Sequence, residues 1–194
     1  VGLLLISVVG VVAQAQPTVE LAYDDGSVEG NITAGSAGVQ VAVRFSLPTG
    51  WARAKILTAR YFISGYPAAF KVRLYGSDGT TELIPSFTVT PTATGWFDVD
   101  IEPPVEVDGD FYIVMEWETE NQPWIGYDVS YPIDLRSYSG DYLFTGLDFM
   151  IRAVVQQVLP PEGVPEFGFS VPIVTSVSAA LYLLIKQRLS NRKG

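Results

Sequence analysis

The sequence predicts an all-β protein, an antiparallel β-sandwich of jelly-roll type, with an N-terminal signal segment and a C-terminal transmembrane helix. Three observations carry that expectation. Apolar residues recur at every second position in several short runs. Turn-forming residues punctuate those runs at close intervals. Uncharged apolar stretches flank a middle that holds all 21 acidic residues.

In chain order, Val1 to Val12 is an apolar run of the length of a signal h-region, and Ala13 and Ala15 give the small-x-small spacing that signal peptidase accepts. A signal segment over 1–15 is therefore expected, with a buried N-terminal strand as the competing reading. Residues 16–38, rich in Gly, Ser, Thr and Asp, read as an irregular lead-in with room for one strand. The sandwich is expected over 39–156. Val39, Val41, Val43, Phe45 and Leu47 alternate with polar or small residues, as do Phe70, Val72 and Leu74, then Phe97, Val99 and Ile101, then Phe111, Ile113, Met115 and Trp117. Period two means one buried and one wet face. Residues 53–63 fit a short helix or a strand. The strand is preferred, because Gly65 and Pro67 follow and the end of the run is aromatic. Phe149 to Val155 closes the sheet, and Pro48-Thr49-Gly50, Ser77-Asp78-Gly79, Thr94-Gly95, Pro103-Pro104 and Asp108-Gly109 mark turns.

Residues 157–166 form a linker. Phe167 to Ile185 carries no charge, and as a helix it would reach roughly 28 Å, near the hydrocarbon thickness of a bilayer. Residues 186–194 hold Lys186, Arg188, Arg192 and Lys193, which puts that tail in the cytoplasm and residues 16–164 outside. Pro165-Glu166-Phe167-Gly168, the apolar span and the terminal bases together resemble the PEFG-CTERM sorting signal of archaeal surface proteins. The resemblance implies an archaeosortase-like processing enzyme as partner, with Pro165, Glu166, Phe167 and Gly168 as its recognition motif. It also implies a lipid anchor or other envelope attachment after cleavage. A plain single-pass anchor is the alternative. The body, through "FKVRLYG", "GDFYIVMEW" and "PIDLRSYSGDY", is similar to the β-sandwich modules of exported surface proteins and to galactose-binding-like carbohydrate modules, a likeness of pattern without a diagnostic motif.

Composition narrows the function. The chain of 194 residues has no Cys and no His, which excludes Cys/His nucleophiles, Cys/His zinc sites and disulfides. Its formal net charge of −9 argues against nucleic acid as a partner. Catalysis would have to rest on a carboxylate pair. Glu116, Glu118 and Glu120 lie on one side of a strand end and read as a solvated acidic strip rather than a tuned acid/base pair. No catalytic residue is expected.

Three kinds of non-catalytic site remain. Calcium is the only cofactor considered. Asp24, Asp25 and Asp148 supply hard oxygens at turns, although Asp-Gly steps are also what tight turns use. Trp124, Tyr127 and Tyr138, with Asp134 and Arg136, concentrate in the aperiodic stretch 123–142, as a glycan-binding loop region or as a plug for the end of the sandwich. Asn31-Ile32-Thr33 is a glycosylation sequon. The function these features predict is a non-enzymatic, cell-surface-anchored β-sandwich with an envelope structural or adhesion role. Its partners would be the membrane and envelope proteins or an extracellular glycan. The alternative is a carbohydrate-binding module that uses the aromatic loops of 123–142.

Overall fold

A computed structural model describes residues 15–129, 135–139, 142–144 and 146–160. Every regular element among the described residues is a strand. The chain divides into two compact units, Val1–Val158 and Leu159–Gly194, and most of the second lies outside the described residues. The signal segment over 1–15 (all but Ala15), the sorting motif 165–168, the span 167–185 and the basic tail lie there too.

Two antiparallel sheets make the first unit. The seven-stranded sheet contains β1 (Thr18–Leu21), β2 (Gly30–Ile32), β4 (Ala54–Gly65), β7 (Gly95–Val107), β9 (Trp124–Asp128), β12 (Asp148–Phe149) and β13 (Ile151–Gln157). The six-stranded sheet runs β11 (Tyr142–Phe144), β10 (Ser137–Ser139), β3 (Gln40–Phe45), β8 (Phe111–Trp117), β5 (Phe70–Tyr75) and β6 (Phe87–Val89).

The core forms where the alternating residues of both sheets meet. Val41, Val43 and Phe45 of β3, Phe70, Val72 and Leu74 of β5, and Phe111, Ile113, Met115 and Trp117 of β8 are buried against Ile56, Tyr61, Ile63, Ile125, Ile151 and Val155 of the other sheet. Each such large side chain contributes about 1.5–3 kcal/mol on leaving water. Phe45 stacks on Phe111 at 5.4 Å, and Tyr61 meets Phe70 edge to face at 4.9 Å. The Tyr61 hydroxyl donates across the core to the Val114 carbonyl at 3.2 Å, and burial pushes its phenol pKa far up. That bond ties one sheet to the other.

Two elements depart from the expectation. The lead-in, expected to be irregular with room for one strand, holds two: β1 pairs with β13 and β2 with β9, so residues 22–29 cross between two parts of one sheet. These strands are short and their pairing is supplied from far along the chain, which leaves no local periodicity to read. Pro103-Pro104 does not turn the chain but lies inside β7. In the register, Ile56 faces Val105 and Thr58 faces Asp100, so residues 101–104 bulge opposite Leu57. β7 pairs only with β4, and an edge strand with a bulge is where a sheet accepts proline. The stretch 53–63, by contrast, is the preferred strand, observed as Ala54–Gly65.

Candidate functional site

The outer face of the six-stranded sheet is set by the positions that alternate with its core residues. Gln40, Ala42 and Arg44 of β3, Lys71, Arg73 and Tyr75 of β5, and Tyr112, Val114 and Glu116 of β8 point away from the core. The register puts Tyr75 directly opposite Tyr112, Ala42 opposite Val114, and Tyr138 of β10 opposite Ala42. Three tyrosines distant in sequence therefore share one patch. Tyr112 and Tyr138 meet at 69° with ring centroids 5.6 Å apart.

A groove of about 230 Å³ opens over this patch, with Gln40, Asp78 and Thr80 at its rim beside the tyrosines. In the loop that walls it, Gly79 sits at φ +70°, a left-handed conformation that side-chain-bearing residues rarely adopt, and a Cβ there would make ordinary contact with the Tyr112 ring at 3.5 Å. Asp78 braces the same turn. Its carboxylate accepts from Thr80 N and Thr81 N at 2.9 Å and from Thr81 Oγ1 at 2.6 Å, and these bonds hold it well below the usual carboxylate range.

Beside the groove, Glu116 anchors a charged cluster. It is 7% exposed, unlike the solvated strip the sequence suggests. Arg73 Nε donates to it at 2.7 Å, Gln40 Nε2 at 2.8 Å and Lys71 Nζ at 3.3 Å. Burial pushes the Glu116 carboxyl up, and these hydrogen bonds more than offset it, leaving it below its ordinary value. The second guanidinium nitrogen of Arg73 reaches Glu82. Glu118 accepts from Thr88 Oγ1 and Glu120 from Asn121. Each of the three glutamates thus has a side-chain donor of its own.

A second cluster lies where residues 22–29 cross the seven-stranded sheet. Carboxylate oxygens of Asp25, Glu29 and Asp128 lie within 4.8 Å of one another. Ser27 Oγ donates to both Asp25 and Glu29 at 2.6 Å, and Asp25 N donates to Asp128 at 2.7 Å. Asp148 faces Asp128 across the β12–β9 pairing, and both are buried. Calcium takes oxygens at about 2.3–2.6 Å, so ligands on opposite sides of one ion stand roughly 5 Å apart, a span this cluster fits.

The residues singled out from the sequence separate into different places. Of the calcium candidates, Asp25 belongs to the acidic cluster and Asp148 adjoins it. Asp24 instead pairs with Arg152, and Glu29 and Asp128 were not foreseen. Trp124 and Tyr127 belong to one sheet and Tyr138 to the other. Trp124 packs on Tyr66 at 4.8 Å, and its indole donates to Asn121 O at 3.0 Å. Tyr127 covers Gly30, leaving no space for a side chain there, and packs against the core. Arg136 stacks 4.5 Å from the Tyr23 ring and donates to Ser46 Oγ at 3.0 Å. Asp134 lies outside the described residues. Asn31 is exposed on β2, open to modification. Sequence reasoning does not single out Tyr75 and Tyr112 as ligand contacts. The available signal was their type: aromatic residues at the wet positions of alternating strands.

No family model and no curated protein matches the chain. Among solved structures it is similar to the clostridial cysteine protease Cwp84 after propeptide cleavage, with a TM-score of 0.55 at 14% identity, over 73% of this chain and 40% of that one. It is also similar to the structure of the cysteine protease and lectin-like domains of Cwp84, a surface layer associated protein of Clostridium difficile. There the TM-score is 0.56 at 14% identity, over 73% of this chain and 36% of that one. The chain thus spans well under half of the structures it matches, and at this identity the likeness is one of fold.

Proposed function

We propose that this protein is a non-enzymatic, surface-anchored adhesion module, a jelly-roll-like sandwich that holds saccharide in the groove on its six-stranded sheet. The observation that carries the reading is the patch of Tyr75, Tyr112 and Tyr138 on an outer sheet face. Aromatic faces beside fixed polar groups are what a sugar needs: apolar C–H surface packs on the ring while hydroxyls bond at the rim. One of the similar structures includes a lectin-like domain, which agrees with a binding role, and that protein's surface-layer association agrees with an exported domain. The site moves from the loops of 123–142 to the sheet face, keeping Tyr138.

The sorting motif Pro165 to Gly168, the apolar span and the basic tail supply the attachment in this reading, with an archaeosortase-like enzyme as processing partner and residues 16–164 outside the cell. Calcium at Asp25, Glu29 and Asp128 belongs to the same reading as a structural clamp between residues 22–29 and β9. The ion would be held by these carboxylates, and it would neutralise their mutual repulsion.

A glycan array probed with the full chain in detergent tests the function. Binding is expected, and Tyr112→Ala is expected to abolish it while Trp124→Ala leaves it intact. Failure of every saccharide to bind, or binding that survives Tyr112→Ala, would refute the groove as the site. Intact-mass spectrometry of the native protein tests attachment: loss of residues 1–15 and of the tail is expected, and an unprocessed mass would refute it.

A further inference from the structure

We infer that the groove takes uncharged hexose units and rejects uronate-type or other anionic sugars; this deepens the proposed saccharide reading and rests on it. The argument is one of which groups remain available. The strongest charges bordering the groove are already partnered: Arg73 with Glu116 and Glu82, and Lys71 with Glu116 and Glu118, while Arg44 faces Asp110 at 3.8 Å, beyond hydrogen-bond reach. Asp78 spends its oxygens on its own turn. What is left over is neutral. None of the hydroxyls of Tyr75, Tyr112 and Tyr138 has a hydrogen-bond partner among the described residues, and Gln40 commits its amide nitrogen to Glu116 while keeping its amide oxygen. Phenol hydroxyls donate and accept, and an amide oxygen accepts, which is the complement of sugar hydroxyls.

An anionic sugar would meet the opposite conditions. The border sets three cations against five carboxylates, counting Asp78, on a chain whose net charge is −9. A carboxylate entering the groove would give up water and find Arg73 and Lys71 already committed and Arg44 held beside Asp110. The volume of about 230 Å³ falls below the roughly 300–1,000 Å³ of pockets that enclose whole drug-sized ligands, so the groove seats a ring or two of a longer chain that continues into solvent.

The test uses oligosaccharides in matched pairs of equal length: glucan with glucuronan, galactan with galacturonan, mannan with mannuronan. Binding to the full chain in detergent is measured by calorimetry at low and high NaCl. The neutral member of at least one pair is expected to bind, with an affinity indifferent to salt, and its acidic counterpart at least about tenfold more weakly, the effect of one desolvated charge without a partner. Glu82→Gln releases one contact of Arg73 at the exposed rim and is expected to narrow that gap; Glu116→Gln, if folded by circular dichroism, narrows it further. An acidic member that binds as well as its neutral partner, or binding that falls with salt, overturns the inference while leaving the saccharide site standing. If no member of any pair binds, the saccharide reading itself falls.

Discussion

Replacing Arg73 by Met removes a guanidinium and keeps the aliphatic stem, so it isolates the support that Glu116 receives. In the folded protein the Arg73 side chain is 19% exposed and that of Glu116 9%, and they are joined at 2.7 Å. The variant leaves Glu116 with Gln40 at 2.8 Å and Lys71 at 3.3 Å. A hydrogen bond to a charged group contributes about 1.5–3 kcal/mol. Stripping a fully buried carboxylate of its partner costs about 3–5. With two partners retained, a loss of about 2 kcal/mol is expected, or about 4–8 °C in Tm for a domain of this size. Thermal and urea unfolding followed by the four tryptophans would measure it. The effect carries a pH signature. Glu116 is held below its ordinary 4.5 in the folded state, so its contribution is present above about pH 4.5 and disappears as the pH falls through the folded value. Arg73→Met shrinks that depression. The gap between parent and variant should therefore be widest at neutral pH and narrow as the pH falls below 4.5 and through the folded value. A loss under about 0.5 kcal/mol at pH 7, within the range of ordinary surface changes, would refute this reasoning, as would a gap that widens as the pH is lowered.

Other perturbations follow from the same geometry. Gly30→Ala puts a methyl into the Tyr127 ring and should cost about 1–3 kcal/mol by overpacking; in a Tyr127→Ala background the added cost should vanish, and additive losses in that double-mutant cycle would show that the ring is not the obstacle. Gly79→Ala combines φ +70° with a Cβ against Tyr112, so it should lower saccharide affinity together with stability, and calorimetry showing unaltered affinity would contradict the wall assigned to that turn. Calcium at about a hundred times its Kd should stabilise by about 2.7 kcal/mol in differential scanning calorimetry. Asp128→Asn should abolish that increment, and an increment that survives the substitution would place the ion elsewhere.

Most of the sandwich was legible because its burden falls on one face of each strand. Where Val41, Val43 and Phe45 enter the core and Gln40, Ala42 and Arg44 do not, period two is written directly in the sequence. For 53–63 the signal is different: Gly65 and Pro67 follow the run and its end is aromatic, which favours a strand over a helix. Elements whose partners are distant left no such trace: β1 and β2 are defined by β13 and β9, more than ninety residues away. The Pro103-Pro104 step misled because proline marks turns and bulged edges alike, and only the register with β4 separates them. The groove was the least legible part. Its tyrosines come from β5, β8 and β10, and adjacency across strands is a property of register, which composition does not carry. The cluster in 123–142 was a neighbourhood in sequence that the fold divides between two sheets. Tyr138 alone of its named aromatics reaches the groove.

The two outer faces of the sandwich use similar residues to opposite ends. On the seven-stranded sheet, Trp96 has Arg152 over its ring at 4.3 Å and Arg60 at 5.6 Å, with Phe62 edge-on at 5.4 Å. Those guanidiniums are in turn held by Glu20, Asp24 and Asp98. Around Trp96, aromatic and charge satisfy each other. On the six-stranded sheet the charges pair among themselves beside the tyrosines instead of over them. That separation does two things at once. It leaves ring surface and phenol hydroxyls for an incoming molecule, and it fixes the side chains around them through bonds that span β3, β5 and β8. A site whose polar neighbours are already oriented loses less freedom on binding than one that must order them. Glu116 matters to the groove for that reason: it touches no ligand in this scheme, and its contribution is that Gln40 and Arg73 do not have to move.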